Sequence, residues 1–160
     1  MLGAALRCGF VMWEKALGFG IDIPFVTHLG FTLTAFEGGR SEIEFRPKPE
    51  HLNSHAIVHG GALMTLLDVS MATAARSAQP DMGMVTVEMK TSFMRPALGL
   101  LVAKGHLMHR STSLAFTEST IYDHAGRACA HAVGTFKYVK RKPRIAPVSD
   151  DQDATTTDTP

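Results

Sequence analysis

Charged residues are scarce in this chain, and their near balance excludes several classes of partner. Of its 160 residues, 19% are Asp, Glu, Lys or Arg, and the formal net charge is +1. So small a net charge creates no field that attracts nucleic acid, and we expect no nucleic-acid partner. Because 45% of the residues are hydrophobic, a small domain with so few charges is expected to bury additional surface between subunits. The composition therefore favours a homo-oligomer.

Cysteines and long apolar runs are also lacking. The two cysteines, Cys8 and Cys129, are too few for a disulfide framework and fit a reducing compartment. No apolar run approaches the length of a membrane span, so we expect no membrane partner. Arg7, Glu14 and Lys15 interrupt the apolar N-terminal stretch, which disfavours a signal peptide. A cytoplasmic location is the prediction, although the basic start of the chain leaves organelle targeting open.

The order of the hydrophobic patterns predicts the fold class. We expect an N-terminal helix and connector over residues 1–30, a folded domain over 31–140 and a disordered tail over 141–160. The helix would occupy residues 1–17 and the connector residues 21–28. Alternating or apolar segments predict strands at 31–36, 41–46, 84–93, 100–109, 113–122 and 128–140, with one helix at 60–78. Short connections between these strands predict an α+β fold, in which the helix lies across one face of an antiparallel sheet.

The segment that enters the predicted central helix carries the clearest chemical signal. Gly60 and Gly61 stand where the helix begins, and free backbone N–H groups there can bind an anion or a polarised carbonyl oxygen. The residues that follow are mainly Leu, Met and Ala, which predicts a helix buried on nearly all sides. Asp68 is the ionisable residue of this stretch, and burial should raise its pKa and make it a better base for water. An oxyanion site followed by an isolated carboxylate indicates acyl chemistry.

The spacing of these two groups has a consequence for assembly. Gly60 and Asp68 are eight positions apart, which is about 12 Å along a helix at about 1.5 Å per residue. One carbonyl carbon cannot contact both groups of the same chain. If both act on one acyl group, they come from different subunits, and the active site lies at a dimer interface.

The strand pair, the central helix entered through His59-Gly60-Gly61 and the four later strands together resemble the hotdog-fold acyl-CoA thioesterases. The resemblance is closest to the PaaI-like branch, which includes phenylacetyl-CoA and 4-hydroxybenzoyl-CoA hydrolases. Asn53 and Asp68 stand in the register of that branch, and residues 85–97 resemble its strand after the helix. The resemblance covers roughly residues 31–139 and implies an antiparallel sheet wrapped around one long central helix. Ala56 replaces the family's usual Gly, which suggests altered loop geometry or less room near the acyl group.

The resemblance also implies a role for each matched residue. Gly60 would donate its backbone N–H to the thioester carbonyl, and Asp68 would act as general base or nucleophile. Asn53 would help to place the attacking water. Thr86 would supply a hydroxyl that assists the water or the carboxylate. His59 would orient the loop or the thioester.

Other residues are predicted to bind the substrate without reacting. Coenzyme A carries several phosphate charges, for which Lys90, Arg76, Arg95 and Arg110 are the basic candidates, with Arg95 and Arg110 preferred because they lie near strand ends. Met64 and Phe93 would line an acyl pocket. The predicted substrate-binding set is therefore Gly61, Arg95, Arg110, Met64 and Phe93.

Ordinary structural roles compete with these assignments. Asp68 could be a structural carboxylate, Thr86 is common in strands, and Asn53 could simply shape a turn or cap. His51, His55 and His59 are spaced four apart, but they lie in or beside a loop and no Cys or carboxylate completes a metal site. We expect no metal and no cofactor beyond the coenzyme A of the substrate.

The sequence thus favours hydrolysis of an acyl-CoA to a free acid and coenzyme A. The expected partners are the acyl-CoA itself and further copies of the chain, as a dimer or a dimer of dimers. Two alternatives stay open. One is a hotdog hydratase or dehydratase, and the other is a non-catalytic acyl-CoA-binding module.

Overall fold

Six antiparallel strands and one long helix form the core of residues 17–141, the part of the chain that the computed structural model describes. The bounds are α1 Pro24–Leu29, β1 Phe31–Glu37, β2 Arg40–Phe45, a 3₁₀ turn at Pro49–His51, α2 Gly60–Ser77, β3 Met82–Phe93, β4 Leu101–Arg110, β5 Leu114–Tyr122 and β6 Ala128–Lys140. The strands run in the order β1-β2-β4-β5-β6-β3 in one sheet. This confirms the predicted α+β class and the order of the elements from residue 31 onward.

Alternation of apolar and polar residues gives the sheet one buried face. On β2, Ser41, Ile43 and Phe45 are buried, whereas Glu42 and Glu44 point away from the core. Successive side chains of a strand point to opposite faces, so each strand contributes every second residue to the core. The same alternation runs along β5 and β6. Helix α2 packs on this buried face.

The central helix is less enclosed than its composition predicts. Leu66, Leu67 and Met71 are fully buried against the sheet. In the first turns, however, Leu63 is buried while Met64 is 41% exposed. The expectation of burial on nearly all sides is therefore wrong at the start of α2, because the sheet covers only one side of the helix there.

A glycine on β4 allows α2 to approach the sheet closely. A Cβ atom on Gly105 would lie 2.5 Å from the carbonyl oxygen of Ser70 and 2.6 Å from the hydroxyl of Ser41. Ser41 donates a hydrogen bond of 2.8 Å to that carbonyl. The hydroxyls of Ser70 and Ser119 lie 3.0 Å apart. Buried hydroxyl groups thus attach the middle of α2 to the sheet.

Strand β3 lies at the edge of the sheet and has one free side. Within residues 17–141 it pairs with β6 alone, and it is 12 residues long. Val85 is 51% exposed and Val87 is 58% exposed, and the pairing shifts between Thr86 and Glu88. A long edge strand with exposed apolar residues is a template for pairing with another chain.

The segment before β1 differs from its prediction. In place of a connector at 21–28, the structure has the short helix α1. Pro24 occupies its first turn, where a missing N–H costs nothing, and Gly30 ends it at φ 74°. Val26 and Leu29 are buried in the core, so this segment packs on the sheet domain. The predicted helix at 1–17 lies outside the described residues except for Leu17, which forms a β-bridge with Leu33. The predicted disordered tail also lies outside them, apart from residue 141.

Cys129 is a buried free thiol whose pKa is raised by burial, while Cys8 lies outside the described residues. No helix within residues 17–141 combines the length and apolarity needed to cross a membrane.

Candidate active site

Several of the predicted site residues line one of two cavities that adjoin opposite ends of β3. The Asp68 cavity has a volume of about 670 Å³ and includes Asp68 and Thr86. The Gly60 cavity has a volume of about 380 Å³ and includes Asn53, Gly60 and Phe93. The Asp68 cavity is lined by Phe19, Ile21, Ile23, Val26, Asp68, Val69, Ala72, Thr73, Arg76, Gly83, Met84, Val85, Thr86, Val139, Lys140 and Arg141. The Gly60 cavity is lined by Asn53, Ile57, Val58, Gly60, Leu63, Phe93, Met94, Arg95, Pro96 and Ala97.

Asp68 and Thr86 meet as the sequence predicts. The Thr86 hydroxyl donates a hydrogen bond of 2.8 Å to Oδ1 of Asp68. Burial raises the pKa of Asp68, and the hydrogen bond from Thr86 lowers it by a smaller amount. The expected upward shift of the pKa is therefore confirmed in direction. Within residues 17–141 no cation forms a salt bridge with this carboxylate. It is thus available to accept a proton from water.

The N-terminus of α2 leaves one backbone donor free. His59 precedes the helix in an extended conformation, and its Nδ1 accepts a hydrogen bond of 2.9 Å from the N–H of Gly61. The N–H groups of Ala62 and Leu63 donate to the carbonyl oxygen of His59. Of the four N–H groups that a helix start exposes, only that of Gly60 has no acceptor among the described residues. This arrangement supports Gly60 as the oxyanion donor.

The hydrogen bond from the Gly61 N–H to His59, which caps α2, indicates a structural role for both residues. His59 orients the loop by capping the helix, which agrees with one of its two predicted roles. Gly61 was expected to bind substrate, but its N–H is already used by the cap. A Cβ atom at this position would lie 3.1 Å from Nδ1 of His59. Gly61 therefore gives the cap the room that it needs.

Asn53 shapes the loop that leads to the cap. Its Oδ1 accepts hydrogen bonds from the N–H groups of His55, at 2.9 Å, and Ile57, at 3.4 Å. The side-chain carbonyl thus shapes a turn, which is the ordinary structural role that the sequence left open for Asn53. The amide N–H₂ group is the part of the side chain that could hold a water. Ala56 within this turn has φ 55°, a left-handed conformation typical of glycine. The loop keeps a glycine-like backbone despite the substitution.

Two of the predicted substrate-binding residues lie in the Gly60 cavity and two do not. The Phe93 ring lies 3.5 Å from where a Cβ of Gly60 would stand. Arg95 lines the same cavity, and its Nη1 donates 2.8 Å to the carbonyl of Ala128. Met64 and Arg110 line neither cavity. Met64 is 41% exposed on α2, and Arg110 is the last residue of β4, so their predicted roles in substrate binding stay predictions.

Sequence reasoning missed one wall of the Asp68 cavity. Ile21, Ile23 and Val26 belong to the segment that was expected to be a connector, and Phe19 lies just before it. Their apolar residues at alternating positions 19, 21 and 23 were the signal that could have identified a packed segment. Arg76 was considered only for coenzyme A phosphates, and the structure places it in the cavity wall on the same helix as Asp68.

The spaced histidines do not form a cluster. His51 is buried, its Nδ1 accepts a hydrogen bond of 3.0 Å from the N–H of Lys48, and its ring packs on Phe45. His55 is exposed and His59 caps α2. Within residues 17–141, no three His, Cys, Asp or Glu side chains are placed to hold a metal ion.

Comparison with known proteins shows what this chain is similar to. The family model of the Thioesterase superfamily matches residues 55–130. Human acyl-coenzyme A thioesterase 13 is 32% identical over 88 residues, which cover 54% of this chain and 63% of that protein. The E. coli PaaI protein of the phenylacetic acid degradation operon aligns at a TM-score of 0.69 and 21% identity, over 74% of this chain and 86% of that chain. A conserved protein from Pseudomonas aeruginosa aligns at 0.72 and 23%, over 75% and 97%.

These matches confirm the resemblance to the thioesterase superfamily. The solved structures, at identities below 25%, establish the hotdog fold. The family model and the sequence relatives support hydrolysis of thioesters as the general activity.

Proposed function

We propose that this protein hydrolyses acyl-CoA thioesters to a carboxylic acid and free coenzyme A. The observation that carries the proposal is the Asp68 carboxylate, which forms no salt bridge within residues 17–141 and is held by Thr86 at the wall of a largely apolar cavity of about 670 Å³. The free N–H of Gly60 and the relationship to a protein named as an acyl-coenzyme A thioesterase support the same activity. The proposal requires neither metal nor cofactor.

The chemistry follows from these groups. Asp68 removes a proton from a water, and the resulting hydroxide attacks the thioester carbonyl carbon. The amide group of Asn53 holds that water. The N–H of Gly60 stabilises the oxyanion, and loss of such a donor typically raises the barrier by about 2.7–4 kcal/mol. The C–S bond then breaks, the thiolate of coenzyme A leaves, and it takes up the proton that Asp68 had accepted.

We further propose that each site is built from two protomers. Gly60 and Asp68 are on one helix, about 12 Å apart along its axis, and they adjoin different cavities. On β3, Thr86 contacts Asp68 and Phe93 lies beside Gly60. Antiparallel pairing of β3 with its own copy about a two-fold axis reverses the strand, so that the two ends exchange places. The Asp68 cavity of one protomer then meets the Gly60 cavity of its partner.

The sequence of β3 suits such self-pairing. A two-fold axis near Met89 places Glu88 beside Lys90 of the partner subunit, which is a favourable cross-strand charge pair. The same pairing covers Val85 and Val87, which are exposed in the single protomer. A measurement of molecular mass would show whether the assembly is this dimer or a pair of such dimers.

The first test is release of thiol from a panel of short, long and aromatic acyl-CoAs, detected with a colorimetric thiol reagent. We expect turnover on at least one member, and a loss of at least about a hundredfold in Asp68→Asn. Binding of the esters without thiol release would identify a binding module instead. A change in enoyl absorbance without thiol release would identify a hydratase. Undiminished turnover in Asp68→Asn would exclude Asp68 as the base.

The position of Gly60 allows a sharper test of the shared site. Gly60→Pro removes the N–H from the first helical residue, where proline is well tolerated. His59 has φ −60° and ψ 136°, which a following proline also favours. We expect Gly60→Pro to lower kcat by about 10²–10³, while Gly60→Ala, which keeps the N–H, retains most activity.

Mixing the two defective proteins then distinguishes a shared from a single-chain site. Hybrids of Gly60→Pro and Asp68→Asn contain one doubly defective site and one intact site if each site uses two protomers. After unfolding and joint refolding, random assembly predicts recovery of about a quarter of wild-type activity. Absence of recovery, with hybrids demonstrated by differently tagged chains, would contradict the shared site.

A further inference from the structure

An arginine that forms no salt bridge with any described carboxylate is buried in the wall of the Asp68 cavity. Arg76 is only 6% exposed. Its Nη2 donates to the carbonyl oxygen of Phe19, and its guanidinium lies 5.1 Å from the centre of the Phe36 ring. Its Nε is buried and has no hydrogen-bond partner within residues 17–141, and no salt bridge there joins it to a carboxylate. A buried cation is costly unless an anion compensates it.

Basic residues outnumber acidic residues in the lining of the Asp68 cavity. Arg76, Lys140 and Arg141 line it, and Arg141 lies near enough to act with burial in lowering the pKa of Arg76. Asp68 is the acidic residue of the lining, and it stands at the earlier end of the helical wall. Between Asp68 and Arg76 the wall is mainly apolar, with Val69 and Ala72 on the helix and further apolar contacts from Ile23, Val26 and Met84.

The helix sets the distance between the two charged groups. Arg76 follows Asp68 by eight positions, about two turns or about 12 Å along the axis. Both side chains belong to the same cavity wall. An extended acyl chain advances about 1.25 Å along its axis per C–C bond, because bonds of about 1.5 Å alternate in direction. The Arg76 side chain extends over part of the interval of about 12 Å. A chain of about six to ten carbons therefore spans the remainder.

We propose that Arg76 binds a carboxylate at the far end of the acyl group, so that the preferred substrates are ω-carboxyacyl-CoAs of medium length. This inference rests on the proposed thioesterase function and adds the class of acyl group. Asp68 serves the thioester end of the substrate, the apolar wall covers the methylene groups, and the guanidinium receives the terminal carboxylate. The carboxylate would bind the guanidinium through Nη1, because Nε is buried and Nη2 already donates to the carbonyl of Phe19.

The phosphates of coenzyme A are a second source of negative charge for the same arginine. Thioesters of N-acetylcysteamine separate the two sources, because they lack the nucleotide and its phosphates. If Arg76 binds the terminal carboxylate, the preference persists in these short thioesters. A preference that disappears with the nucleotide would assign Arg76 to the phosphates and overturn the proposal.

The test compares pairs of thioesters that differ only at the chain end, such as suberoyl and octanoyl, each as the coenzyme A and the N-acetylcysteamine ester. The readout is the ratio of kcat/KM for the carboxylated over the methyl-terminated member. We expect wild type to favour the carboxylated member, and Arg76→Gln to lower the ratio by about ten- to hundredfold. Arg76→Lys should retain part of it. Arg40→Gln, at an exposed arginine outside both cavities, should leave it unchanged.

The ratio is insensitive to partial unfolding, since a smaller active fraction lowers both rates equally. A wild type that prefers the methyl-terminated member, or an Arg76→Gln variant with the wild-type ratio, would overturn the proposal. Calorimetric titration of Asp68→Asn with the same pairs measures discrimination without turnover. Preferential binding of the carboxylated esters, together with no thiol release by the wild-type protein, would overturn the hydrolase proposal and leave the role of Arg76 supported.

Discussion

At the scale of single residues, the environment of Asp68 determines how activity should depend on pH. Burial raises the pKa of this carboxyl group, and the hydrogen bond from Thr86 opposes part of that rise. A general base acts in its ionised form, so activity is lost as the pH falls through its pKa. The acid side of the pH profile should therefore lie above the range of an exposed aspartate.

Replacing Thr86 tests this account. Thr86→Val removes the donor that lowers the pKa of Asp68, so the pKa rises further and the acid limb of kcat/KM moves to higher pH. The control is Thr135→Val, which removes a similar bond of 2.9 Å from a threonine hydroxyl to the Glu88 carboxylate, outside both cavities. An acid limb that stays in place in Thr86→Val, in an otherwise active enzyme, would show that the limb reports another group.

Ala56 offers a prediction about stability. Its φ of 55° costs a residue with a Cβ about 1–2 kcal/mol in the folded state. Glycine avoids this cost, but it loses about 0.5–1 kcal/mol more in backbone entropy on folding. Ala56→Gly should therefore leave the free energy of unfolding unchanged or raise it by up to about 1.5 kcal/mol, as measured by urea titration. Ala125→Gly, at an exposed loop alanine without positive φ, should lower it slightly. Destabilisation by Ala56→Gly would contradict the argument.

At the scale of elements, the sequence patterns predicted the bounds of the long helix and the strands. They missed features that depend on contacts between residues distant in sequence or on very short elements. Helix α2 begins at Gly60 as predicted and ends at Ser77, one residue early. The strand bounds agree within two residues, because alternation marks each strand. Helix α1 was missed because its six residues are too few to show a helical period. The exposure of Met64 could not be predicted, since it depends on where the sheet ends over the helix.

The free edge of β3 is the element on which the proposed assembly depends. Val87 is 58% exposed and lines neither cavity. A lysine on an edge strand discourages pairing with another chain, so Val87→Lys should give monomers with little thiol release. Light scattering would measure the mass, and Met108→Lys, at a 48% exposed residue of β4, should keep both the wild-type mass and activity. A fully active monomer would contradict the two-protomer site.

At the scale of the whole molecule, the candidate site could be predicted only in part. The chemical groups were recognisable: a carboxylate in an apolar helix, a hydroxyl on the next strand and glycines at the helix start. Their separation was also predictable, because helical rise is constant. The cavity wall formed by residues 19–26 and the burial of Arg76 were not, since both arise from contacts distant in sequence. The cytoplasmic location and the absence of cofactors stay predictions.

The contact of α2 with Gly105 has a consequence for engineering the substrate range. The hydroxyl groups of Ser41 and Ser119 hold Ser70, two positions after Asp68, against the sheet. The helix therefore cannot slide along its axis without breaking buried hydrogen bonds. Side chains further along the cavity wall, such as Ala72 and Met84, can be enlarged or reduced while the carboxylate keeps its position. The fold thus separates the reacting end of the pocket, which is fixed, from its length and shape, which can be redesigned.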